Sequence, residues 1–132
     1  MGIEPFLLAS SIVGIIAQRL IRKLCIHCKC KRQITTLEQG ILNTTNIDLE
    51  IHYAVGCEHC NHTGYTGRTG IYELIPIDET LRAMIYRNES IQKIEEHIRP
   101  NIPSIRTDGF RHVMLGETSI AEVLHVTSTI AI

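Results

Sequence analysis

Two pairs of cysteines in this chain have the spacing that proteins use to hold a metal ion. Two residues separate Cys25 from Cys28, the same spacing separates Cys57 from Cys60, and 28 residues lie between the pairs. A Cys-x2-Cys turn places two sulfurs on one side of a tight loop, and two such turns complete a tetrahedron around Zn²⁺. The sequence therefore predicts a structural zinc site with these four ligands. A closed shell of four thiolates leaves no position for a catalytic water.

The alternatives to zinc are reduced free thiols and a thioredoxin-like redox pair. A redox Cys-x2-Cys needs no second pair, whereas this chain repeats the spacing. Cys30 adds an ambiguity, because Cys28-x-Cys30 could compete as a ligand pair. A Cys-x-Cys turn is less suited to two ligands of one tetrahedral ion, so we interpret Cys30 as a spare thiol.

Three histidines lie close to the cysteines in sequence, namely His27, His59 and His62. We expect them to surround the ligands or to face solvent, because the four sulfurs already complete the coordination. Glycines recur at every third position over residues 64–70, a pattern that can indicate a phosphate-binding loop. No Lys-Ser or Lys-Thr follows and a strand comes next, so we predict a tight turn with positive φ angles.

Composition favours a small domain, or a part of one, that uses metal locally. The chain has 132 residues, 44% of them hydrophobic, only 5% aromatic and none Trp, so Ile, Leu and Val must supply the core. The formal net charge of −1 gives no global attraction to nucleic acid or anionic lipid. Basic residues do concentrate between Arg19 and Arg32, which is typical of a solvated surface. They would also balance the charge of about −2 on a four-thiolate zinc.

The elements that would position the cysteines follow from periodicity. Apolar residues from Pro5 to Ala17 predict one helix, which is shorter than the roughly 20 residues of a membrane span and is expected to be buried within a larger structure. Residues 20–24 either continue that helix or form a short strand. A helix is predicted near residues 37–42, and strands are predicted at residues 51–55 and 68–75.

The chain beyond Pro76 is predicted to be helical. Asp78, Ser90 and Ser104 can each cap a helix, and the third helix should end near Leu115. Ser119 followed by Glu122 has the spacing of a capping box. The predicted fold class is therefore α+β, with a buried N-terminal helix, a zinc-held β module and a helical C-terminal half.

Several blocks of the sequence together resemble one family, the assembly ATPases of type II secretion and type IV pili. The first block is more similar to the type II secretion branch than to the pilus extension ATPase. The blocks are residues 4–11 (EPFLLASS), 17–22 (AQRLIR), 24–28 (LCIHC), 56–73 (GCEHCNHTGYTGRTGIYE), 108–109 (DG) and 122–127 (EVLHVT).

This resemblance implies the C-terminal part of a RecA-like ATPase domain. Residues 1–24 would end the ATPase core, residues 25–67 would form the zinc module, and residues 68–132 would add a strand and a helical subdomain. The four cysteines correspond to the family's zinc ligands. Such ATPases are cytoplasmic homo-hexamers docked on inner-membrane platform proteins, and they use ATP and Mg²⁺ to assemble a pseudopilus that exports proteins.

The family's nucleotide-binding motifs precede the segment that this chain resembles. We therefore expect structural Zn²⁺ as the cofactor of the chain, with ATP and Mg²⁺ bound only by a full-length parent, and no ATP hydrolysis by the chain alone. The expected partners are the remaining ATPase core, neighbouring subunits and the membrane platform, but no nucleic acid. The alternatives are a type IV pilus assembly ATPase, a zinc-ribbon nucleic-acid module and, less well matched, an Hsp40-type zinc repeat.

Overall fold

A computed structural model describes residues 4–128, in which one helix and a region of four strands with a short helix are followed by four helices. The two sheets in this part of the chain have two strands each, and they pair β1 with β4 and β2 with β3. In chain order the elements are α1 (Pro5–Ser11), β1 (Gly14–Leu24), β2 (Cys30–Gln33), α2 (Thr36–Leu42), β3 (Glu50–Tyr53), β4 (Tyr65–Pro76), α3 (Glu79–Tyr86), α4 (Ile91–Ile98), α5 (Ile105–Met114) and α6 (Ile120–Thr127).

The N-terminal helix is shorter than the sequence predicts. It ends at Ser11, and the segment from Gly14 onward is strand β1, so the prediction of one buried helix through Ala17 is wrong. Gly14 weakens a helix, and the β-branched side chains around it lose rotamer freedom there. Val13 and Ile16 are 82% and 69% exposed, so the described residues 4–128 leave these two side chains uncovered. None of the helices among the described residues has the length and apolar character of a membrane span.

The chain divides into two compact units. The first unit contains the described residues up to Ala17 together with Tyr72–Ser104, and the second contains Gln18–Ile71 together with the described residues from Ile105 onward. The three segments expected from the sequence, residues 1–24, 25–67 and 68–132, follow the family's organisation and stay a prediction.

The first unit is built from α1, α3 and α4. Helix α1 packs against α3, and Leu81, Met84 and Ile98 are buried. The predicted caps are confirmed, because the Asp78 carboxylate accepts a hydrogen bond from the Leu81 amide at 2.6 Å and the Ser90 hydroxyl accepts one from the Lys93 amide at 3.3 Å. These caps satisfy amide groups that the first helical turn leaves without partners.

The second unit places the loop between the cysteine pairs on the C-terminal helices. Its larger core cluster consists of Ile51 from β3 with Val113, Ile120 and Val123 from α5 and α6. A second cluster joins Ile21, Ile71 and Ile105. Strands β2 and β3 pair antiparallel, with Cys30 opposite Tyr53 and Gln33 opposite Glu50. Ile51 is 1% exposed, so the loop has an apolar anchor of its own.

Helix α2 forms the middle of the loop between the two cysteine pairs. Thr35 and Glu38 form a capping box, in which each side chain accepts a hydrogen bond from the other residue's amide. The predicted capping box at Ser119 is only half present, since Ser119 accepts from the Glu122 amide at 3.1 Å but the Glu122 carboxylate bonds elsewhere. The helix predicted after Ser104 is α5, which begins at Ile105 and ends at Met114, near the predicted boundary.

Candidate metal centre

The four predicted ligand cysteines meet at one point of the second unit. The Sγ atoms of Cys25, Cys28, Cys57 and Cys60 all lie within 4.8 Å of one another. Measured separations are 3.8 Å for Cys25–Cys57, 3.9 Å for Cys28–Cys60 and 3.8 Å for Cys57–Cys60. A tetrahedral ion with metal–sulfur bonds of about 2.3 Å requires sulfur–sulfur edges of about 3.8 Å. The cluster therefore has the size that a four-thiolate zinc site needs.

Strand β1 delivers the first cysteine pair. Leu24 is 3% exposed, Cys25 is fully buried, and the Cys25 amide donates to the Gly64 carbonyl at 2.9 Å. The Lys29 and Cys28 amides then donate back to the Cys25 carbonyl at 3.0 and 3.4 Å. These bonds close the tight turn that brings both sulfurs of the pair to one side.

A short 3-10 turn, Glu58–Cys60, delivers the second pair. The Cys57 carbonyl accepts hydrogen bonds from the amides of Cys60 at 3.2 Å and His62 at 2.8 Å. Asn61 and His62 both have positive φ angles, which reverse the chain directly after the second sulfur. Positive φ is uncommon outside glycine, and Asn and His tolerate it better than most residues.

Backbone amides point at two of the sulfurs. Cys60 Sγ accepts hydrogen bonds from the amides of Cys57 and Gly64, both at 3.2 Å, and Cys28 Sγ accepts one from the Gly56 amide at 3.3 Å. Burial raises the pKa of the Cys60 thiol, but the two amide donors and the neighbouring thiols outweigh it and lower the pKa to about 6. Burial dominates at Cys28 and raises its pKa to about 11. The site thus favours a thiolate first at Cys60.

Cys30 lies outside the cluster. It is exposed at the start of β2, and its sulfur is not among the four that lie together. His27, His59 and His62 are exposed, in agreement with the expectation that they surround the ligands or face solvent. The imidazole rings of His27 and His59 stack with their centroids 4.0 Å apart and their planes 21° apart. The sequence did not predict that contact.

The predicted turn in the glycine-rich segment is confirmed only at Gly64, because strand β4 already begins at Tyr65 and includes the other two glycines. Gly64 has φ +86°, and a Cβ there would lie 2.7 Å from the Ala54 Cβ, so both conformation and space require glycine. Gly67 has φ +75° with open space around it, whereas Gly70 does not have a positive φ. Gly64 therefore allows the close approach that lets its amide reach the Cys60 sulfur.

Contacts with α6 and with the turn between α5 and α6 hold the segment around the first cysteine pair in place. The Lys29 ammonium donates to the Gly116 carbonyl at 2.9 Å, and the Leu24 amide donates to the Glu117 carbonyl at 2.8 Å. The Arg22 guanidinium lies 4.2 Å from the centre of the Tyr65 ring and bonds to the Glu122 carboxylate. In the sequence, Lys29 and Arg22 stand out only as members of a basic run. No local sequence pattern indicates that their partners lie about a hundred residues away.

Comparison with known proteins finds similarity over nearly the whole chain. A family model described as Type II/IV secretion system protein matches residues 1–125. The chain is 50% identical over 128 residues to type II secretion system protein E of Aeromonas hydrophila, covering 96% of this chain and 26% of that protein. It is 44% identical to type II secretion system ATPase E of Vibrio cholerae over 96% of this chain and 25% of that protein.

A pilus protein is also similar, at 37% identity to the type IV pilus assembly ATPase TfpB of Acinetobacter baylyi over 96% of this chain and 22% of that protein. The chain therefore spans about a quarter of the length of these relatives, since the matched part is 26%, 25% and 22% of the three proteins. Because the family model matches nearly the whole chain, the chain belongs to the type II/IV secretion system protein family.

Proposed function

We propose that this chain is the C-terminal portion of an ATPase that powers type II secretion, and that Cys25, Cys28, Cys57 and Cys60 hold one structural Zn²⁺. The observation that carries the metal assignment is the sulfur–sulfur spacing of 3.8–3.9 Å between three pairs of these cysteines. Four thiolates are soft ligands, and tetrahedral sulfur coordination is typical of zinc or of iron–sulfur centres. The single four-cysteine cluster, with edges that suit one ion, favours zinc.

The zinc would act as a clamp between distant segments. It would join the turn after β1 to the turn before β4, because Cys25 and Cys57 are 32 residues apart in sequence. A closed four-sulfur shell presents no water or substrate, so its contribution is to folding. Many residues between the pairs are polar, and Ile51 is the fully buried apolar anchor that this loop contributes to the core. The metal and Ile51 therefore hold the loop at different points.

The activity of the complete protein is inferred from the family. We expect a RecA-like core that binds ATP and Mg²⁺, a homo-hexamer in the cytoplasm, and docking on inner-membrane platform proteins during pseudopilus assembly. Identity of 50% to a type II secretion protein E, against 37% to TfpB, favours the secretion branch over the pilus branch. This chain carries no Gly-x4-Gly-Lys-Ser/Thr phosphate loop, so the isolated polypeptide is expected not to hydrolyse Mg-ATP.

Elemental analysis of the purified chain tests the metal assignment. We expect one zinc per chain in the wild-type protein and in Cys30→Ser, and a lower ratio in Cys57→Ser. Cys30→Ser is the matched control, since it removes a thiol outside the cluster. Loss of zinc on substituting Cys30 alone would overturn the ligand assignment.

A chimera tests the role in secretion. This chain would replace the corresponding segment of the Aeromonas hydrophila relative, to which it is 50% identical. We expect the chimera to restore secretion in a strain that lacks the native protein, the Cys30→Ser chimera to do the same, and the Cys60→Ser chimera to secrete less. A chimera that accumulates normally yet fails to support secretion would contradict the proposed function.

A further inference from the structure

The two cysteine turns each carry a histidine at the same position, and these histidines meet. His27 directly precedes Cys28, and His59 directly precedes Cys60. Their rings stack with centroids 4.0 Å apart, and both side chains are exposed. The zinc module therefore presents a pair of imidazoles side by side on its surface.

The imidazole pair has no role in the tetracysteine cluster. Four sulfurs already fill the positions of a tetrahedral ion, so the rings are not needed as ligands there. Among residues 4–128, neither ring has a hydrogen-bond or ion-pair partner. The nitrogen atoms of His27 and His59 are thus available to a ligand from solution.

We propose that His27 and His59 form an outer binding site for a second divalent transition-metal ion. Imidazole binds Zn²⁺, Ni²⁺ and Cu²⁺ well, and neutral histidine is the commonest metal ligand in proteins. Metal–nitrogen bonds of about 2.0–2.1 Å place two nitrogens of one tetrahedral ion about 3.4 Å apart. Stacked rings direct their in-plane lone pairs side by side, so both exposed side chains would rotate about their χ angles to aim one nitrogen each at a common ion. Water would complete the coordination.

The charge of the neighbouring cluster favours a cation at this site. Zinc with four thiolates carries a charge of about −2, so a second divalent ion on the adjacent surface is attracted to it. Basic residues between Arg19 and Arg32 balance part of that charge, and one of them, Lys29, is held in place because its ammonium donates to the Gly116 carbonyl. The outer site goes beyond the clamp role proposed for the four cysteines, and it gains its electrostatic support when the clamp holds zinc.

Nickel is a suitable probe, because it separates imidazole binding from zinc content. Untagged, zinc-loaded protein is titrated with NiCl₂ in a calorimeter, and both metals are then measured after removal of free ions. We expect one bound Ni²⁺ with zinc retained. His27→Gln and His59→Gln should each weaken nickel binding more than about tenfold, since losing a direct ligand exceeds the loss from a supporting group.

His62→Gln is the matched control, because His62 is an exposed histidine in the same loop. This variant should bind nickel as the wild-type chain does. Equal nickel affinity in His27→Gln, His59→Gln and wild-type protein would overturn the outer site, and so would nickel that enters only by displacing zinc. A chain purified without zinc would instead contradict the structural zinc, while the histidine variants would still decide the outer site.

Discussion

The Glu122 carboxylate of α6 binds both the backbone and the side chain of Arg22 in β1. One carboxylate oxygen accepts the Arg22 amide at 2.8 Å, and the other accepts the guanidinium at 2.9 and 3.2 Å. The Glu122 side chain is 3% exposed, whereas that of Arg22 is 50% exposed. Burial alone would raise the pKa of Glu122, but the bonds from Arg22 outweigh it and lower the pKa. This contact therefore joins α6 to β1 at a residue that lies three positions before Cys25.

Replacing this carboxylate should destabilise the second unit. Glu122→Gln keeps the shape of the side chain but removes the charge that pairs with the guanidinium. Hydrogen bonds to charged groups contribute about 1.5–3 kcal/mol, so we expect a loss of that size in the free energy of unfolding. Urea denaturation of the zinc-loaded chain measures it. Glu95→Gln is the control, because Glu95 is 52% exposed in an i,i+4 pair with Arg99 and such pairs contribute little.

Two glycines in helices should respond oppositely to alanine. A Cβ at Gly109 would lie 2.6 Å from Val123 Cγ1, so Gly109→Ala overfills the contact between α5 and α6 and should destabilise the chain by about 1–3 kcal/mol. A Cβ at Gly40 of α2 meets nothing within 4 Å. Gly40→Ala should therefore stabilise the chain by up to about 1 kcal/mol, the helix preference of alanine over glycine. Thermal unfolding of both variants tests this, and equal shifts would contradict the packing of α5 on α6.

Tyr53 should ionise late in an alkaline titration. Burial and the hydrogen bond from its hydroxyl to the Glu38 carboxylate, at 2.7 Å, raise the pKa of Tyr53 to about 12. Because the folded pKa lies above the unfolded value of about 10, the stabilisation is fully present below pH 10 and is lost as pH rises towards 12. Tyrosinate absorbance measures the ionisation.

Two variants test whether the latest ionisation in this titration belongs to Tyr53. Tyr53→Phe should remove the latest phase of the absorbance titration. Glu38→Gln should move that phase to lower pH without reaching the ordinary value, because burial, the larger cause, persists. A titration that is unchanged in Tyr53→Phe would show that another tyrosine produces the latest phase.

Local chemistry explains which features could be predicted from sequence. The cysteine spacing locates the cluster because each turn is built from adjacent residues and the ligand number is set by tetrahedral geometry. The caps at Asp78 and Ser90 are also local, since each side chain bonds an amide three residues away. Family membership follows from ordered blocks along the chain, and the match over residues 1–125 confirms it.

Long-range contacts explain what could not be predicted. The apolar pattern of residues 5–17 suits a helix, yet Gly14–Leu24 pairs with Tyr65–Pro76, a strand about fifty residues later. The spacing of Ser119 and Glu122 indicates a capping box, but Arg22 takes the carboxylate across about a hundred residues of sequence. The stacking of His27 on His59 likewise depends on the two cysteine turns meeting in space.

The packing of Ile51 determines how far the loss of zinc should spread. The polar composition of residues 25–67 alone suggests that loosening would stay within the zinc module. Ile51 of β3, however, shares a core with Val113 and Val123, and Lys29 bonds to the Gly116 carbonyl. Both contacts would carry the effect of the proposed metal into α5, α6 and the turn between them.

Removing zinc with a chelator should therefore expose amides well beyond the cysteines. We expect hydrogen exchange to show lost protection in β2, β3, α5 and α6, because the apolar cluster around Ile51 opens when the loop is released. Helices α3 and α4 lie in the other compact unit and should keep most of their protection. Cys60→Ser should reproduce the pattern, and Cys30→Ser with zinc bound should not. Unchanged protection of α5 and α6 after verified zinc removal would show that the metal braces only its own loop.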